Sequence, residues 1–195
     1  FHWDQKGTND DKSSCWVRVS QAWAGKAWGA FFLPRIGMEV VVEFLEGDPD
    51  RPMITGAVYN GQQTLPYTLP DKQTISTVKT NTTEGGGGYN EIRLDDDKDN
   101  EEVYVQAQKD MNTLVKNDLT LTVEAGNECH TVEKGNRTVT VGEGNEEHTI
   151  AGTRSIDVTK AETHGNEDNF THTVQGNYVL NVTGDLTIDV TGEIS

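Results

Sequence analysis

The sequence predicts an all-β protein in which a small β-barrel is followed by a long stack of short strands. Two observations support this prediction. Five strand-like runs separated by glycine and proline turns fill residues 1–60. Near the end, in "GNYVLNVTGDLTIDVTGEIS", glycine returns every eight residues and apolar residues alternate with polar ones. Because side chains on a strand point to opposite faces with period two, each unit predicts one short strand and one corner.

Residues 1–60 are predicted to form the barrel and are rich in aromatic residues. The strand-like runs cover residues 1–4, 15–21, 28–33, 39–45 and 53–59. In "PRIG" (34–37) proline presets the backbone, and in "GDPDRP" (47–52) aspartate can cap the turn. Short strands joined by such turns are typical of a small barrel.

Residues 61–90 are predicted to be a connector because they contain prolines and four successive glycines. The stack of short strands, which we call the shaft, is predicted to occupy residues 91–195. It opens with two strands around an acidic turn, since Ile92 and Leu94 alternate on one arm and Val103 and Val105 on the other.

The repeats of the shaft are defined by the last inward residue of each unit. Successive units follow one another at intervals of eight or nine residues. The one exception is a step of 16, in which Asn166 replaces the middle valine. Nine-residue units carry an extra residue, as a bulge or a longer corner does. Stacked units bury their apolar faces only against neighbours. The repeat-defining residues are Val123, Val132, Val141, Ile150, Val158, Val174, Val182 and Val190, with corner glycines Gly176, Gly184 and Gly192.

The chain is acidic and poor in apolar residues. It has 16 Lys and Arg against 32 Asp and Glu, a net charge of −16, and 33% hydrophobic residues. Such a surface disfavours nucleic acid and passive adhesion to anionic lipid, because both need Lys and Arg. An elongated protein with a thin core needs fewer apolar residues than a compact one. The strict alternation argues against disorder.

The two cysteines lie in different parts of the chain. Cys15 alternates with Val17 and Val19 and is expected to be a buried thiol, whereas Cys129 falls on the outward face of its repeat. Both are predicted to be free, as in a protein made in a reducing cytosol. The sequence shows no signal peptide and no apolar run of membrane-spanning length. It begins without Met and stops within a repeat, so a fragment or mature product is expected.

Four of the five histidines share one position of the repeat, two residues before its last inward residue: His130, His148, His164 and His172. In a threefold assembly each would form a ring of three imidazoles near the axis, which can hold a divalent metal. Polar packing with ordered water is the alternative, and it is the favoured interpretation. No cofactor is therefore predicted. No nucleophile elbow, zinc-protease motif or phosphate loop is present, so we expect no catalytic residue and no enzyme activity.

Several segments resemble one known family. They are "FHWDQKG", "SSCWVRVSQAWAGKAWGAFFLPRIG", "GMEVVVEFLEGDPDRPMITGAVYNG" (37–61), "GGGGYNEIRLDD" and "VQAQKDMNTLVKND". With the valine–glycine repeats that follow, they resemble the VgrG family, the spike proteins of the bacterial type VI secretion system. The resemblance implies an OB-fold barrel followed by an intertwined trimeric β-helix, a triangular β-prism. It also implies that the family's N-terminal base domain and distal tip surface lie outside this chain.

An intertwined trimer also has a physical rationale, because pairing backbone edges between chains hides both the edges and the apolar face. A single-chain solenoid with about three units per turn is the alternative.

The resemblance further implies a function and partners. The trimeric shaft would transmit force during sheath contraction and pierce the target-cell membrane mechanically. A tail-tube protein and baseplate would bind through the base domain, and effectors and a tip protein with proline-alanine-alanine-arginine repeats through the distal end. The spike would assemble in the bacterial cytoplasm and be secreted without a signal peptide. The alternatives are a carbohydrate-active phage tail spike and a phage-baseplate needle.

Overall fold

The computed structural model describes residues 1, 5–8, 10, 12–13, 16–83 and 86–192. The chain divides into two compact units, Phe1–Leu121 and Thr122–Ser195. The described residues contain eight strands, one short 3-10 helix and no α-helix. The all-β fold class is therefore confirmed. None of these elements is a helix long and apolar enough to span a bilayer.

A three-stranded sheet forms the centre of the first sixty residues. Its strands are β1 (Arg18–Val19), β4 (Glu39–Phe44) and β5 (Pro52–Val58), and a 3-10 turn at Leu45–Gly47 follows β4. The β-branched run of β4 pairs antiparallel with β5, and β1 pairs parallel with β5. The register shifts between Val41 and Val42, as at a bulge. The strands predicted over 39–45 and 53–59 are thus confirmed to within one residue.

A short antiparallel hairpin joins β2 (Ala24–Gly25) and β3 (Trp28–Gly29). The strand predicted over 28–33 is wrong in length, since only its first two residues form a strand. The reason is that the Gln21 side chain forms hydrogen bonds with both the carbonyl and the amide of Phe32. Gln21 Nε2 donates to the Phe32 carbonyl at 3.0 Å, and the Phe32 amide donates to Gln21 Oε1 at 2.9 Å.

Three further sequence predictions concern the strand over 1–4 and the two cysteines. Most of the strand predicted over 1–4 and the predicted buried thiol of Cys15 lie outside the described residues. Cys129 is a free, exposed thiol, as predicted.

The second sheet is an antiparallel meander of β6 (Ile75–Lys79), β7 (Glu91–Asp95) and β8 (Glu102–Gln106). The pairing Ile92↔Val105 and Leu94↔Val103 confirms the two strands predicted around the acidic turn. Strand β6 was not predicted and lies within the stretch 61–90, which was expected to be a connector.

The described part of the chain has no buried hydrophobic side chain. Residues 108–192 are exposed throughout, and residues 107–192 form neither a strand nor a backbone–backbone hydrogen bond with other described residues. Folded proteins pair their backbone polar groups and bury their apolar side chains, so the described residues of one chain do not complete the structure of this stretch.

Candidate trimer interface

The second sheet presents its apolar face outward. On β7 the covered side chains are Glu91, Arg93 and Asp95, whereas Ile92 and Leu94 are exposed. The exposed apolar face is completed by neighbouring strands and comprises Val78, Ile92, Leu94, Val103 and Val105, which are 46–71% exposed. A soluble sheet normally shows the reverse polarity. No part of the chain that the structure describes therefore covers this apolar face.

The opposite, polar face is built around the carboxylate of Glu91, which is 2% exposed. Its Oε1 accepts hydrogen bonds from Tyr67 Oη at 2.5 Å and Thr77 Oγ1 at 2.8 Å. Its Oε2 lies 3.8 Å from Lys79 Nζ. Arg93 Nη1 donates to Tyr67 Oη at 3.1 Å, which ties the 61–70 stretch to the sheet.

These contacts act on the titration of Glu91. Burial raises the pKa of the Glu91 carboxyl, but the hydrogen bonds from Tyr67 and Thr77 and the charges of Lys79 and Arg93 lower it by more. The net effect is a pKa below the ordinary value of 4.5. The polar face is therefore a charged, hydrogen-bonded layer at neutral pH.

The backbone of residues 107–192 bends at regular intervals. The bends fall at 108–109, 116–117, 124–126, 133–135, 142–144, 151–152, 159–160, 167–168, 175–176, 183–184 and 191–192. Their spacing is the eight or nine residues of the repeat. The bend at 167–168 follows Asn166, so the step of 16 contains a corner at its middle.

The extra residue of a nine-residue unit lies in its corner. Corners of nine-residue units span three residues and end in Gly126, Gly135 and Gly144, with φ of 103°, 102° and 109°. Corners of eight-residue units span two residues, and their glycines, such as Gly176 and Gly184, do not have positive φ. The left-handed conformation accommodates the additional residue, and glycine is the residue that adopts it at low cost.

The inward column is less exposed than the other apolar residues of the repeats. Its members Val123, Val132, Val141, Ile150, Val158, Val174, Val182 and Val190 are 42–51% exposed. Apolar residues two positions earlier are 55–73% exposed: Leu121, Val139, Ile156, Leu180 and Ile188. Both sets remain largely uncovered in one chain, so the candidate functional site is an interface rather than a pocket.

Each of three predicted axial histidines contacts a glutamate two residues earlier. The distance from histidine Nε2 to glutamate Oε1 is 2.5 Å for His130–Glu128, 2.8 Å for His148–Glu146 and 2.9 Å for His164–Glu162. The fourth histidine, His172, instead packs edge-on against the Tyr178 ring at 5.2 Å.

A single chain does not bring the four histidines together. No group of three potential metal ligands occurs among the residues that the structure describes. The glutamate partners were not predicted. The signal was present as Glu-x-His at 128–130, 146–148 and 162–164, because residues two apart on an extended chain share a face.

The other face at the first pair supports this alternation. Cys129 Sγ lies 3.6 Å from Thr131 Oγ1 on one face of the extended chain. Glu128 and His130 contact each other on the opposite face.

Comparison with known families agrees with this arrangement. Residues 76–190, more than half of the chain, match the family model described as the bacteriophage T4 gp5 C-terminal trimerisation domain. The chain belongs to this family. The match supports assembly as a homotrimer. Residues 4–59 match the type VI secretion system/phage-baseplate injector OB domain, which confirms the OB-fold and β-helix assignment of an all-β chain.

Individual relatives carry the VgrG name. The chain is 54% identical over 125 residues to the type VI secretion system spike protein VgrG1a of Pseudomonas aeruginosa, which covers 63% of this chain and 19% of the relative. It is 53% identical over 122 residues to VgrG1b of the same organism, covering 62% and 16%. The resemblance to VgrG spike proteins is thus confirmed. The chain spans less than a fifth of the length of these relatives.

One relative is named as a toxin. The actin cross-linking toxin VgrG1 of Vibrio cholerae is 49% identical over 118 residues, which cover 60% of this chain and 11% of the toxin. Proteins related to this trimerisation-domain chain therefore include both spikes and a toxin.

Proposed function

We propose that three copies of this chain wind into the neck and shaft of a cell-puncturing type VI secretion spike. The observation that carries the proposal is the unpaired backbone and exposed inward column of residues 107–192. Three chains supply both missing partners at once, since each backbone edge pairs with a neighbour and the valine column meets its copies on an axis. The apolar face of the second sheet would extend the same interface.

The mechanical role follows from such an assembly. A shaft with ladders between chains and a packed axis cannot yield locally without breaking many contacts together. It would transmit axial force from a contracting sheath and pierce a target-cell membrane. We propose the tail-tube protein, the baseplate, a tip protein with proline-alanine-alanine-arginine repeats and effectors as its partners, with secretion by the type VI machinery itself. The acidic surface disfavours binding of nucleic acid.

This stretch would act without catalysis of its own. The relatives named as spike proteins support this role, and the relative named as a toxin places a further activity within the wider family. A phage-baseplate needle is the second candidate, because the matched OB domain is described for both machines. The two would be mechanically equivalent.

The first experiment is the native mass of the chain by light scattering on a sizing column. One chain weighs 21.5 kDa, and we expect a single species of three chains that elutes early for its mass. A monomer would contradict the proposal for this chain.

A matched pair of variants tests which face forms the interface. Val141 belongs to the inward column and Thr140 to the outward face. Val141→Asp would place three carboxylates together on the axis, so we expect loss of the trimer, since unpaired buried charge is costly. Thr140→Asp adds the same charge on the outward face and should leave the trimer intact. Equal behaviour of the two variants would refute the proposed register.

A further inference from the structure

We infer that the three Glu-x-His pairs form three tiers of divalent transition-metal sites along the axis of the trimer. The inference rests on the proposed homotrimer, because no single chain supplies a complete site. The pairs are His130–Glu128, His148–Glu146 and His164–Glu162.

The first step concerns which imidazole nitrogen is available. In each pair the carboxylate Oε1 contacts Nε2, so Nε2 carries the proton that it donates. In the neutral ring Nδ1 then keeps its lone pair, and no hydrogen bond to Nδ1 forms among the described residues. A histidine whose other nitrogen donates to a carboxylate is the usual arrangement of a metal ligand, because the carboxylate fixes the tautomer and orients the ring.

The second step concerns how many ligands each tier holds. His130 and His148 lie two residues before Val132 and Ile150, so on an extended backbone they share the inward face. Three chains therefore place three imidazoles around the axis at each level. Three histidines with an open position are a sufficient set for Zn²⁺ and similar ions.

The third step concerns charge. Each tier also brings three glutamates, which repel one another when they share an enclosed site. Ordered water around neutral imidazoles would satisfy hydrogen bonds but would leave this repulsion. A divalent cation bound by the imidazoles offsets it, and for this reason the glutamates favour metal over the water that the histidines alone favour.

His172 provides a contrast within the same chain. The residue two positions earlier is Phe170 instead of glutamate, and the His172 ring packs against Tyr178. It lacks the carboxylate that orients the imidazole. The expected number of metal tiers is therefore three, although four histidines share the register.

The test measures metal content and mass on the same sample. The chain is purified from cells grown with added Zn²⁺, its mass is measured by light scattering, and bound zinc is counted by mass spectrometry of the elements. We expect a trimer with about one zinc per chain, one for each of the three pairs in each trimer. His148→Gln should remove one third of the zinc, and His172→Gln should remove none.

A second variant separates orientation from ligation. Glu146→Gln keeps the imidazole but loses the carboxylate, so the affinity of that tier should fall about 10–100-fold. If His148→Gln does not form a trimer, the same count is made with His130→Gln or His164→Gln.

The outcomes distinguish the two proposals. A trimer without zinc would overturn the metal tiers and leave the proposed shaft standing. A trimer whose zinc content is unchanged in His148→Gln would identify an adventitious ion only. A monomer would overturn the proposed shaft, and the metal tiers with it.

Discussion

Glu91 shows how one residue determines which face of a sheet is free. Its carboxylate is almost fully buried, and removal of a charge from water is unfavourable unless hydrogen bonds and opposite charges replace the solvent. Tyr67, Thr77, Lys79 and Arg93 provide that replacement. Most of the polar face of the second sheet is thereby satisfied within the chain, although Glu91 Oε2 and Arg93 Nε form no hydrogen bond with other described residues. The apolar face is the one that the proposed trimer would cover.

Glu91→Gln should destabilise the chain and weaken its response to acid. We expect a loss of about 1.5–3 kcal/mol at pH 7, as for a hydrogen-bonded charged group. Because the folded pKa of Glu91 lies below 4.5, its contribution is complete above that pH and is lost as the pH falls through the folded value. Urea unfolding between pH 7 and pH 3 should therefore show a shallower loss of stability in the variant.

The control for this variant is Glu46→Gln. Glu46 pairs with Arg51 at 3.2 Å, but its side chain is 85% exposed, so its loss should cost below about 1 kcal/mol. Asp95, whose pKa is lowered mainly by a hydrogen bond from Thr74, retains part of the acid response in both proteins. An acid slope in Glu91→Gln as steep as in the parent would disprove the role given to Glu91.

At the scale of elements, the two kinds of corner make different demands on glycine. The corner at 133–135 ends in Gly135 at φ 102°, whereas Gly176 closes a two-residue corner without positive φ. A Cβ added at either glycine would have no other atom within 4 Å, so the room for a side chain within the chain is the same at both positions. Backbone conformation alone does.

Gly135→Ala should therefore destabilise the shaft by about 1–2 kcal/mol per chain, the cost of a left-handed residue with a Cβ. Gly176→Ala should be neutral or slightly stabilising, because alanine restricts the unfolded chain. Thermal unfolding followed by circular dichroism would compare the two. A larger loss in Gly176→Ala than in Gly135→Ala would rule out the assignment of the extra residue to a left-handed corner.

Local patterns predicted those elements that are determined locally. Strands β4 and β5 combine β-branched residues with flanking turn residues, and the repeats combine alternation with corner glycines, so both were predictable. The shortened strand at 28–33 was not, because the Gln21 side chain, eleven residues away from Phe32, takes the backbone bonds that a strand would use. A side-chain contact of this kind leaves no periodic signal.

The polarity of the second sheet and the histidine partners were missed for different reasons. Alternation identifies two faces of β7 but not which one is covered, and here the charged face is covered because Tyr67 packs over it. The histidine register was predicted from the repeat, whereas Glu128, Glu146 and Glu162 were passed over although they share that register. Period two applied to the polar residues would have found them.

At the scale of the whole molecule, charge opposes the assembly that the apolar column favours. The stretch 122–195 has 13 Asp and Glu against four Lys and Arg. Three parallel copies would bring these like charges together, and their repulsion reduces the stability of the trimer while keeping it soluble.

Salt should therefore stabilise the proposed trimer. The screening length falls from about 30 Å at 0.01 M to about 10 Å at 0.1 M, which weakens repulsion between outward acids on neighbouring chains more than it weakens the short Glu–His contacts. We expect the midpoint of thermal dissociation, followed by light scattering, to rise by several degrees between 0.01 M and 0.2 M NaCl. KCl at equal ionic strength should give the same curve, since screening does not depend on ion identity. A midpoint that falls with salt would mean that attraction between charged groups outweighs the repulsion of the excess acids, and the assembly would then be held in part by ion pairs between chains.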